Sequence, residues 1–236
     1  MFEAIRNGLA ARRQREFAIR RALQQCPRFY RMVYCAYTTV LIVGMAAHAG
    51  GGETELDNAY VRVSRNTIHC PTGTMPGCGE RVVVALGDLV LSVNDSQRVM
   101  ARGDIVVVGA AQSYRVSSQG EFVEVVVKPD HPPPGAPAET IAFEKNVMCY
   151  EDEDFMVFEE RLEPGDTRAR HSHSHRVVIQ LNLTQLEQWP DGVASVIVQT
   201  VADRPLFNPP VIHRVKNIGA APLRGVIIEF KPLQRP

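Results

Sequence analysis

Three short sequence patterns occur twice along this chain, in the same order. An Arg-Val-Val run over residues 81–86 returns over residues 176–181. An aspartate stands ten residues before a Tyr-Arg-Val or His-Arg-Val triplet, first at Asp104 and then at Asp203, and a Val/Ile-rich run ending in Lys-Pro closes each segment. One such match would mean little, but three in the same order indicate an internal duplication. We therefore expect two related lobes.

The repeated runs are short, rich in valine and isoleucine, and separated by Gly, Pro, Asn and Asp turns. The chain has 16 prolines and 17 glycines. Because β-branched residues favour strands and Gly and Pro favour turns, the composition predicts an all-β protein. Each lobe is predicted to be a small barrel or double-sheet jelly roll. Residues 57–128 form the first lobe and 139–233 the second, with a stiff Pro-rich linker over 129–138.

The basic charge of the chain lies at its front. Residues 1–49 carry eight arginines and two glutamates, whereas the other 187 residues carry 18 basic and 24 acidic side chains. A body of net negative charge gives no reason to expect nucleic-acid binding. The arginines precede an apolar stretch over residues 32–47, which is followed by Ala-His-Ala at 47–49, a plausible cleavage site. We therefore expect a targeting or signal segment over residues 1–49 and a periplasmic or secreted protein.

Other interpretations of this segment stay open. Its apolar stretch is shorter than the roughly twenty residues of a membrane span, but its charged part is unusually long for a signal peptide. An uncleaved anchor, an organelle transit peptide, a mis-assigned start and an N-terminal helix packed on the body are the alternatives. Membrane contact is expected only through this segment, if it is retained.

Two cysteines close a Gly/Pro-rich loop. Cys70 and Cys78 flank Pro-Thr-Gly-Thr-Met-Pro-Gly, and in an oxidising compartment such a pair predicts a disulfide. The spacing is not that of a zinc knuckle. Cys149 is expected to be a buried apolar residue rather than a nucleophile.

Four of the seven histidines lie in two stretches of the second lobe. His171, His173 and His175 alternate with serines, and His213 follows about forty residues later. Residues two apart on a strand project from the same face, so a third imidazole from a neighbouring strand can complete a divalent-metal site with an open position. His171 and His175 would lie about 13 Å apart on a regular strand. Either one, but not both, can therefore join His173.

The two stretches resemble the two motifs of the cupin superfamily. Three residues carry the match in each motif: Gly165, His171 and His173, then Pro209, His213 and Asn217. The resemblance implies a bicupin, in which a degenerate first lobe and a metal-type second lobe each form a double-stranded β-helix. It also implies one divalent transition metal (Mn, Fe, Ni, Cu or Zn) on His171, His173 and His213. Asn217 is expected to fix a turn.

Two positions depart from the family pattern. Val177 or Val178 stands where the first motif usually has a glutamate, which removes the usual anionic ligand. Pro210 and Val211 stand where the second motif usually continues as x-Gly. Three neutral imidazoles plus water still make a sound site, and imidazole suits Zn, Cu, Fe and Ni. The loss of a carboxylate weakens the case for Mn.

Arg168, Arg170 and Gln180 are candidates for a substrate pocket. The arginines lie beside the histidines, and the arginine fork suits carboxylates, although both could belong to a solvated strand edge and Gln180 to the core. We expect a metal-dependent enzyme acting on a small oxygenated or carboxylated substrate. The alternative is a non-catalytic module for ligand binding or homodimerisation, with structural metal or none. No residue is identified as a catalytic acid or base.

Overall fold

The computed structural model describes residues 54–70 and 78–232. Those residues form 17 strands and no helix, so the all-β prediction is confirmed. Accordingly, no membrane-spanning helix is found among these residues. The predicted targeting segment, residues 1–49, lies outside the described part of the chain.

Eight strands form the first lobe. They are β1 (Thr54–Asp57), β2 (Val61–Arg65), β3 (Arg81–Ala85), β4 (Leu89–Val93), β5 (Ser96–Met100), β6 (Ile105–Val108), β7 (Tyr114–Val116) and β8 (Phe122–Val127). One sheet has the order β1-β2-β8-β3-β6 and the other β5-β4-β7. All pairings are antiparallel.

Nine strands form the second lobe. They are β9 (Val147–Glu151), β10 (Phe155–Leu162), β11 (Thr167–His173), β12 (Arg176–Gln180), β13 (Gln185–Pro190), β14 (Val196–Gln199), β15 (Pro205–Asn208), β16 (Val211–Asn217) and β17 (Leu223–Phe230). One sheet has the order β9-β10-β17-β12-β15, which repeats the five-stranded sheet of the first lobe strand for strand. The other has the order β11-β16-β13-β14. Two jelly-roll lobes therefore follow the predicted duplication.

The two five-stranded sheets share a core between the lobes. Val82 and Val84 of β3 pack there together with Val177 and Ile179 of β12. The opposite face of β3, which includes Val83, packs inside the first barrel. Because these strands are buried on both faces, they are continuous apolar runs rather than alternating ones. Each fully buried valine stabilises the fold by about 1.5–3 kcal/mol.

Cys70 and Cys78 form the predicted disulfide, with Cα atoms 5.9 Å apart. The prediction for Cys149 is wrong, because its side chain is exposed. It lies on β9, which is the edge strand of its sheet and is mostly solvated.

Candidate metal centre

The strand pairing brings the three predicted histidines together. Gly165 has φ +88°, a conformation that glycine adopts without strain, in the turn before β11. β11 then pairs with β16 so that His171 lies opposite His213. His173 lies two residues along the same face. The three side chains are buried, and their potential ligand atoms lie within 4.8 Å of one another.

Hydrogen bonds fix the tautomers of His171 and His173. The Nδ1 of His171 lies 2.7 Å from the carbonyl oxygen of Ala169, and the Nδ1 of His173 lies 2.7 Å from Glu229 Oε2. A carbonyl or a carboxylate only accepts, so each Nδ1 donates and each Nε2 presents a lone pair. The two Nε2 atoms face each other at 3.1 Å. Ligands bonded at about 2.0–2.1 Å to one zinc ion lie about 3.0–3.4 Å apart, so this spacing fits a metal.

His213 supplies the third side of the cluster. Its ring centroid lies 4.6 Å from that of His171 and 5.4 Å from that of His173. Among the described residues, both of its ring nitrogens are buried without a hydrogen-bond partner. Leaving a buried polar atom unpaired is costly. A metal ion in the cluster would give one of these nitrogens a partner.

The surroundings keep the imidazoles neutral. Burial lowers the pKa of His173 and of His213 to about 2, with smaller contributions from nearby positive charge. Burial also lowers the pKa of His171. The neutral ring is the form that binds a metal. The contact between His173 and Glu229 is therefore a hydrogen bond from a neutral imidazole, although its geometry is also that of an ion pair.

Glu229 is a residue that the motif comparison misses. It lies on β17, and it also accepts a hydrogen bond of 3.0 Å from the backbone N–H of Ser174. Burial raises its pKa. A carboxylate behind a ligating histidine typically fixes the orientation of the ring. The signal in the sequence is a charged residue within the apolar run Val-Ile-Ile-Glu-Phe, since unpaired charges are seldom buried.

His175 lies outside the cluster. β11 ends at His173, and the ring of His175 stacks on Tyr60 of the first lobe at 4.9 Å and on Phe207 at 5.6 Å. Its Nδ1 accepts a hydrogen bond of 2.9 Å from the backbone N–H of Gly135. Of the two pairings that strand geometry left open, the structure contains His171 with His173.

A cavity of about 410 Å³ adjoins the cluster inside the second barrel. His173 and His213 form part of its wall, and Glu160, Arg176 and Gln180 add polar groups. Most of the remaining wall is apolar, including Val178, Leu186, Val198, Val215, Leu223 and Ile227. We call this space the barrel cavity.

Gln180, predicted as a pocket residue, lines the barrel cavity. Arg168 lies behind another wall residue, with its Nε 3.8 Å from Glu160 Oε1. Its guanidinium donates hydrogen bonds to Glu144 O at 2.8 Å and to Asn146 Oδ1 at 2.6 Å. Its role in substrate binding stays a prediction.

Arg170 points to the outer surface. It forms ion pairs with Asp191 at 2.6 Å and with Glu139 at 3.2 Å. The residues that line the barrel cavity do not include it. The structure brings Gln180 into the same space as the histidines but leaves this arginine on the rim of the barrel, and its contact with a substrate stays a prediction.

Asn217 has the predicted structural role. Its Nδ2 donates hydrogen bonds to the carbonyl oxygens of Leu162 and Ala221, each at 2.9 Å. Its Oδ1 accepts one of 2.8 Å from Thr184 Oγ1. The buried amide therefore fixes the turn between β16 and β17, and the prediction is confirmed.

No family model and no curated protein matches this chain. Solved structures do. A glyoxylate-induced protein from Pseudomonas aeruginosa has a TM-score of 0.54 and 12% identity, covering 79% of this chain and 80% of its own. A cupin 2 conserved barrel domain protein from Leptotrichia buccalis has a TM-score of 0.51 and 12% identity, covering 81% of this chain and 94% of its own. At such identities the likeness concerns the fold. The fold that the motif resemblance implies is thereby confirmed: the chain has the cupin fold, with two barrels in one polypeptide.

Proposed function

We propose that the second lobe binds one divalent transition metal through His171, His173 and His213. The observation that carries this proposal is the geometry of His171 and His173, whose Nε2 atoms lie 3.1 Å apart. Because both Nδ1 atoms donate hydrogen bonds, each of these Nε2 atoms presents a lone pair. Two lone pairs at that distance repel unless a cation lies between them. Three neutral imidazoles suit Zn, Cu, Fe and Ni better than Mn.

We infer further that the lobe is a metal-dependent enzyme for a small oxygenated or carboxylated substrate. A bound divalent ion supplies a Lewis acid at the wall of the barrel cavity. The apolar walls exclude water from the ligand, and Glu229 holds the ring of His173 in place. Arg176 donates a hydrogen bond of 3.0 Å to the carbonyl of Pro209, which fixes the turn before β16.

Elemental analysis of protein purified without chelators tests the metal site. We expect about one metal ion per chain in the wild type and almost none in His171→Ala and His213→Ala. His175→Gln is the matched control, because it removes a neighbouring histidine outside the cluster and should keep the metal. Circular dichroism checks that each variant is folded. A wild type without metal, or a His213→Ala variant that keeps it, would contradict the proposal.

The same variants separate an enzyme from a structural metal site. In an enzyme, His213→Ala loses metal and activity while the fold persists. If removal of the metal by substitution or chelation instead unfolds the protein, the ion is structural and the non-catalytic alternative is favoured.

An exposed apolar edge favours homodimerisation as a second function of this lobe. β14 is the last strand of its sheet, and Val196, Ile197 and Val198 are 46%, 67% and 39% exposed. An uncovered apolar edge strand is a template for pairing with another chain. Sedimentation should show a dimer for the wild type and a monomer for Ile197→Lys. Val99→Lys on β5, the edge strand of the first lobe, is the control. A monomeric wild type would contradict dimerisation.

We also propose that residues 1–49 direct export and are then removed. The disulfide between Cys70 and Cys78 supports an oxidising compartment. Mass spectrometry of the native protein should find a chain beginning near Gly50 in the exported fraction. A full-length chain confined to the cytosol would contradict export.

A further inference from the structure

Three neighbouring strands place a polar row in the barrel cavity, away from the histidines. Gly225 of β17 lies opposite Glu160 of β10 on one side and opposite Gln180 of β12 on the other. Both polar side chains line the barrel cavity. We call Glu160 and Gln180 the polar pair. An apolar row of Phe158, Val178 and Ile227 separates it from the row that contains Glu229.

Both members of the polar pair offer acceptors that no described residue satisfies. Gln180 Oε1 is buried without a hydrogen-bond partner. The side chain of Glu160 is only 12% exposed, and its nearest cationic group is Arg168 Nε at 3.8 Å, which is too long for a hydrogen bond. Burial raises the pKa of Glu160. Gln180 Oε1 destabilises the fold unless a ligand supplies its donor, and the ion pair of Glu160 with Arg168 leaves that carboxylate able to accept a hydrogen bond from the same ligand.

The first lobe has an equivalent row of residues, but there a large apolar side chain fills the space. There Phe122 of β8 lies opposite Ala85 of β3, as Gly225 lies opposite Gln180 in the second lobe. Phe122 is buried in the core of the first barrel. A Cβ atom at Gly225 would lie 2.7 Å from Gln180 Oε1. The second lobe thus has glycine where the first has a phenyl ring, and beside this glycine lies the amide of Gln180, whose oxygen has no hydrogen-bond partner in the described part of the chain.

We propose that the polar pair is a subsite that binds a hydroxyl group of the substrate, at the end of the barrel cavity remote from the metal. This inference rests on the proposed metal site and specifies its substrate class. The molecule would have an oxygen ligand for the metal, an apolar body and a terminal hydroxyl. A hydroxyl fits better than an ammonium group, because Arg168 and Arg176 already place positive charge near Glu160. Gly225 and Glu229 are about 13 Å apart along the strand, which limits the length of the molecule.

Matched pairs of probes test the subsite. Calorimetry on the zinc-loaded protein compares n-alkanoates of four to eight carbons with ω-hydroxyalkanoates of the same length. The carboxylate binds the metal in both series, and only the second carries a terminal donor. We expect the hydroxyl to increase affinity about ten-fold at one or more chain lengths, the size of a hydrogen bond to a buried acceptor. No hydroxyl preference at any length would overturn the inference.

Substitutions test whether the polar pair causes the preference for a terminal hydroxyl. Gln180→Leu and Glu160→Gln should each reduce the hydroxyl preference at least three-fold while leaving alkanoate affinity unchanged. Gln188→Leu is the control, because Gln188 also lines the barrel cavity but lies outside the polar pair. A preference that survives in the combined Glu160→Gln and Gln180→Leu variant would overturn the inference.

Thermal stability provides a readout that a merely structural role would not produce. Gln180→Leu removes an unpaired buried acceptor, so its Tm should equal or exceed that of the wild type. A lower Tm with unchanged probe binding would assign Gln180 to the core and overturn the inference. Metal content is measured in every sample. If the wild type binds no zinc but still prefers 1,6-hexanediol to 1-hexanol, the proposed metal site alone fails.

Discussion

The two lobes have the same framework of strands and differ in the side chains that fill their interiors. Arg81 and Arg176 occupy equivalent positions at the start of β3 and β12. Each donates a hydrogen bond to the carbonyl of the residue two before it, at 3.0 Å and 3.3 Å. Each also bonds to the turn before the strand that carries Tyr114 or His213. The arginine therefore belongs to the frame of both barrels, and its presence carries no information about a metal site.

The interiors show the difference. In the first lobe Tyr114 takes the place of His213, and its hydroxyl donates to buried Glu124, which also accepts a hydrogen bond of 2.8 Å from the backbone N–H of His69. Burial raises the pKa of Tyr114, so it remains a donor. Apolar side chains fill the rest of this barrel: Val83, Leu89, Leu91, Met100, Val106 and Val108. The same frame accommodates either a packed core or a cavity with a metal-type cluster, and a few inward side chains decide which.

Replacing a metal-site residue of the second lobe with its first-lobe counterpart should have the largest effect on metal affinity. His213→Tyr replaces the third imidazole with the residue of the first lobe and leaves two ligands. Metal affinity should fall by more than about 100-fold, beyond the loss typical for a residue that only supports a ligand. Isothermal titration with zinc measures it. Tyr114→His in the first lobe is the reciprocal change and should create no site, because the sequence duplication aligns Pro76 and Cys78 with His171 and His173.

The buried glutamates of the two lobes should differ in importance for the metal. In Glu229→Gln, the amide NH₂ faces either the N–H of His173 or that of Ser174, so one of the two hydrogen bonds is lost. Metal affinity should fall about 10–100-fold. Glu124→Gln in the first lobe is the matched control and should leave zinc binding unchanged. Equal affinities in the wild type and Glu229→Gln would show that Glu229 does not support the site.

The fold and the histidine cluster could be predicted because their signals are local. Strand runs, turn residues and the His-x-His spacing each lie within a few neighbouring positions, and the duplication aligns the strand runs of the two lobes. The spacing from Pro209 to Asn217 identifies His213 in the sequence, and the register of β11 on β16 places it opposite His171. The disulfide also lies within one short loop.

The rest of the site depends on contacts between distant strands. The carboxylate of Glu229 reaches His173, 56 positions earlier in the chain, and Glu160 reaches the barrel cavity from a strand that carries no motif. The motif itself has valine where a glutamate was expected, so the sequence predicted a site without a carboxylate nearby. Arg170 shows that nearness in the chain does not determine where a side chain points. It lies next to His171 in the chain, but alternation along the strand directs it outward to Asp191.

The Tyr114–Glu124 contact should stabilise the fold and have no effect on the metal. Tyr114→Phe leaves a buried carboxylate with one donor fewer. The free energy of unfolding should fall by about 1.5 kcal/mol. Urea denaturation measures it, with zinc content expected to equal that of the wild type. A loss of zinc in this variant would mean that side-chain packing in the first lobe also affects metal binding in the second.

The smallest effect should come from a titrating contact between the lobes. Tyr150 Oη of the second lobe lies 2.9 Å from Asp152 Oδ2 and 3.2 Å from Glu80 Oε1 of the first. Burial, together with Asp152, raises the pKa of Glu80 from 4.5 to about 7. A neutral Glu80 is therefore favoured in the folded state, although the hydrogen bond from Tyr150 partly opposes this shift. Its contribution to stability is then complete below pH 4.5 and is lost as the pH rises towards 7.

Glu80→Gln imitates the protonated form at every pH. It should match the wild type near pH 4 and exceed it by about 1 kcal/mol near pH 8, a value reduced from the full effect because the carboxyl group is partly exposed. Urea denaturation across that range measures the difference between the two proteins, which removes the titration of all other groups. Glu121→Gln, an exposed change in the same lobe, is the control. If the Glu80→Gln difference is constant with pH, the carboxyl group of Glu80 titrates alike in the folded and unfolded chains, and the contact between the lobes does not depend on its proton.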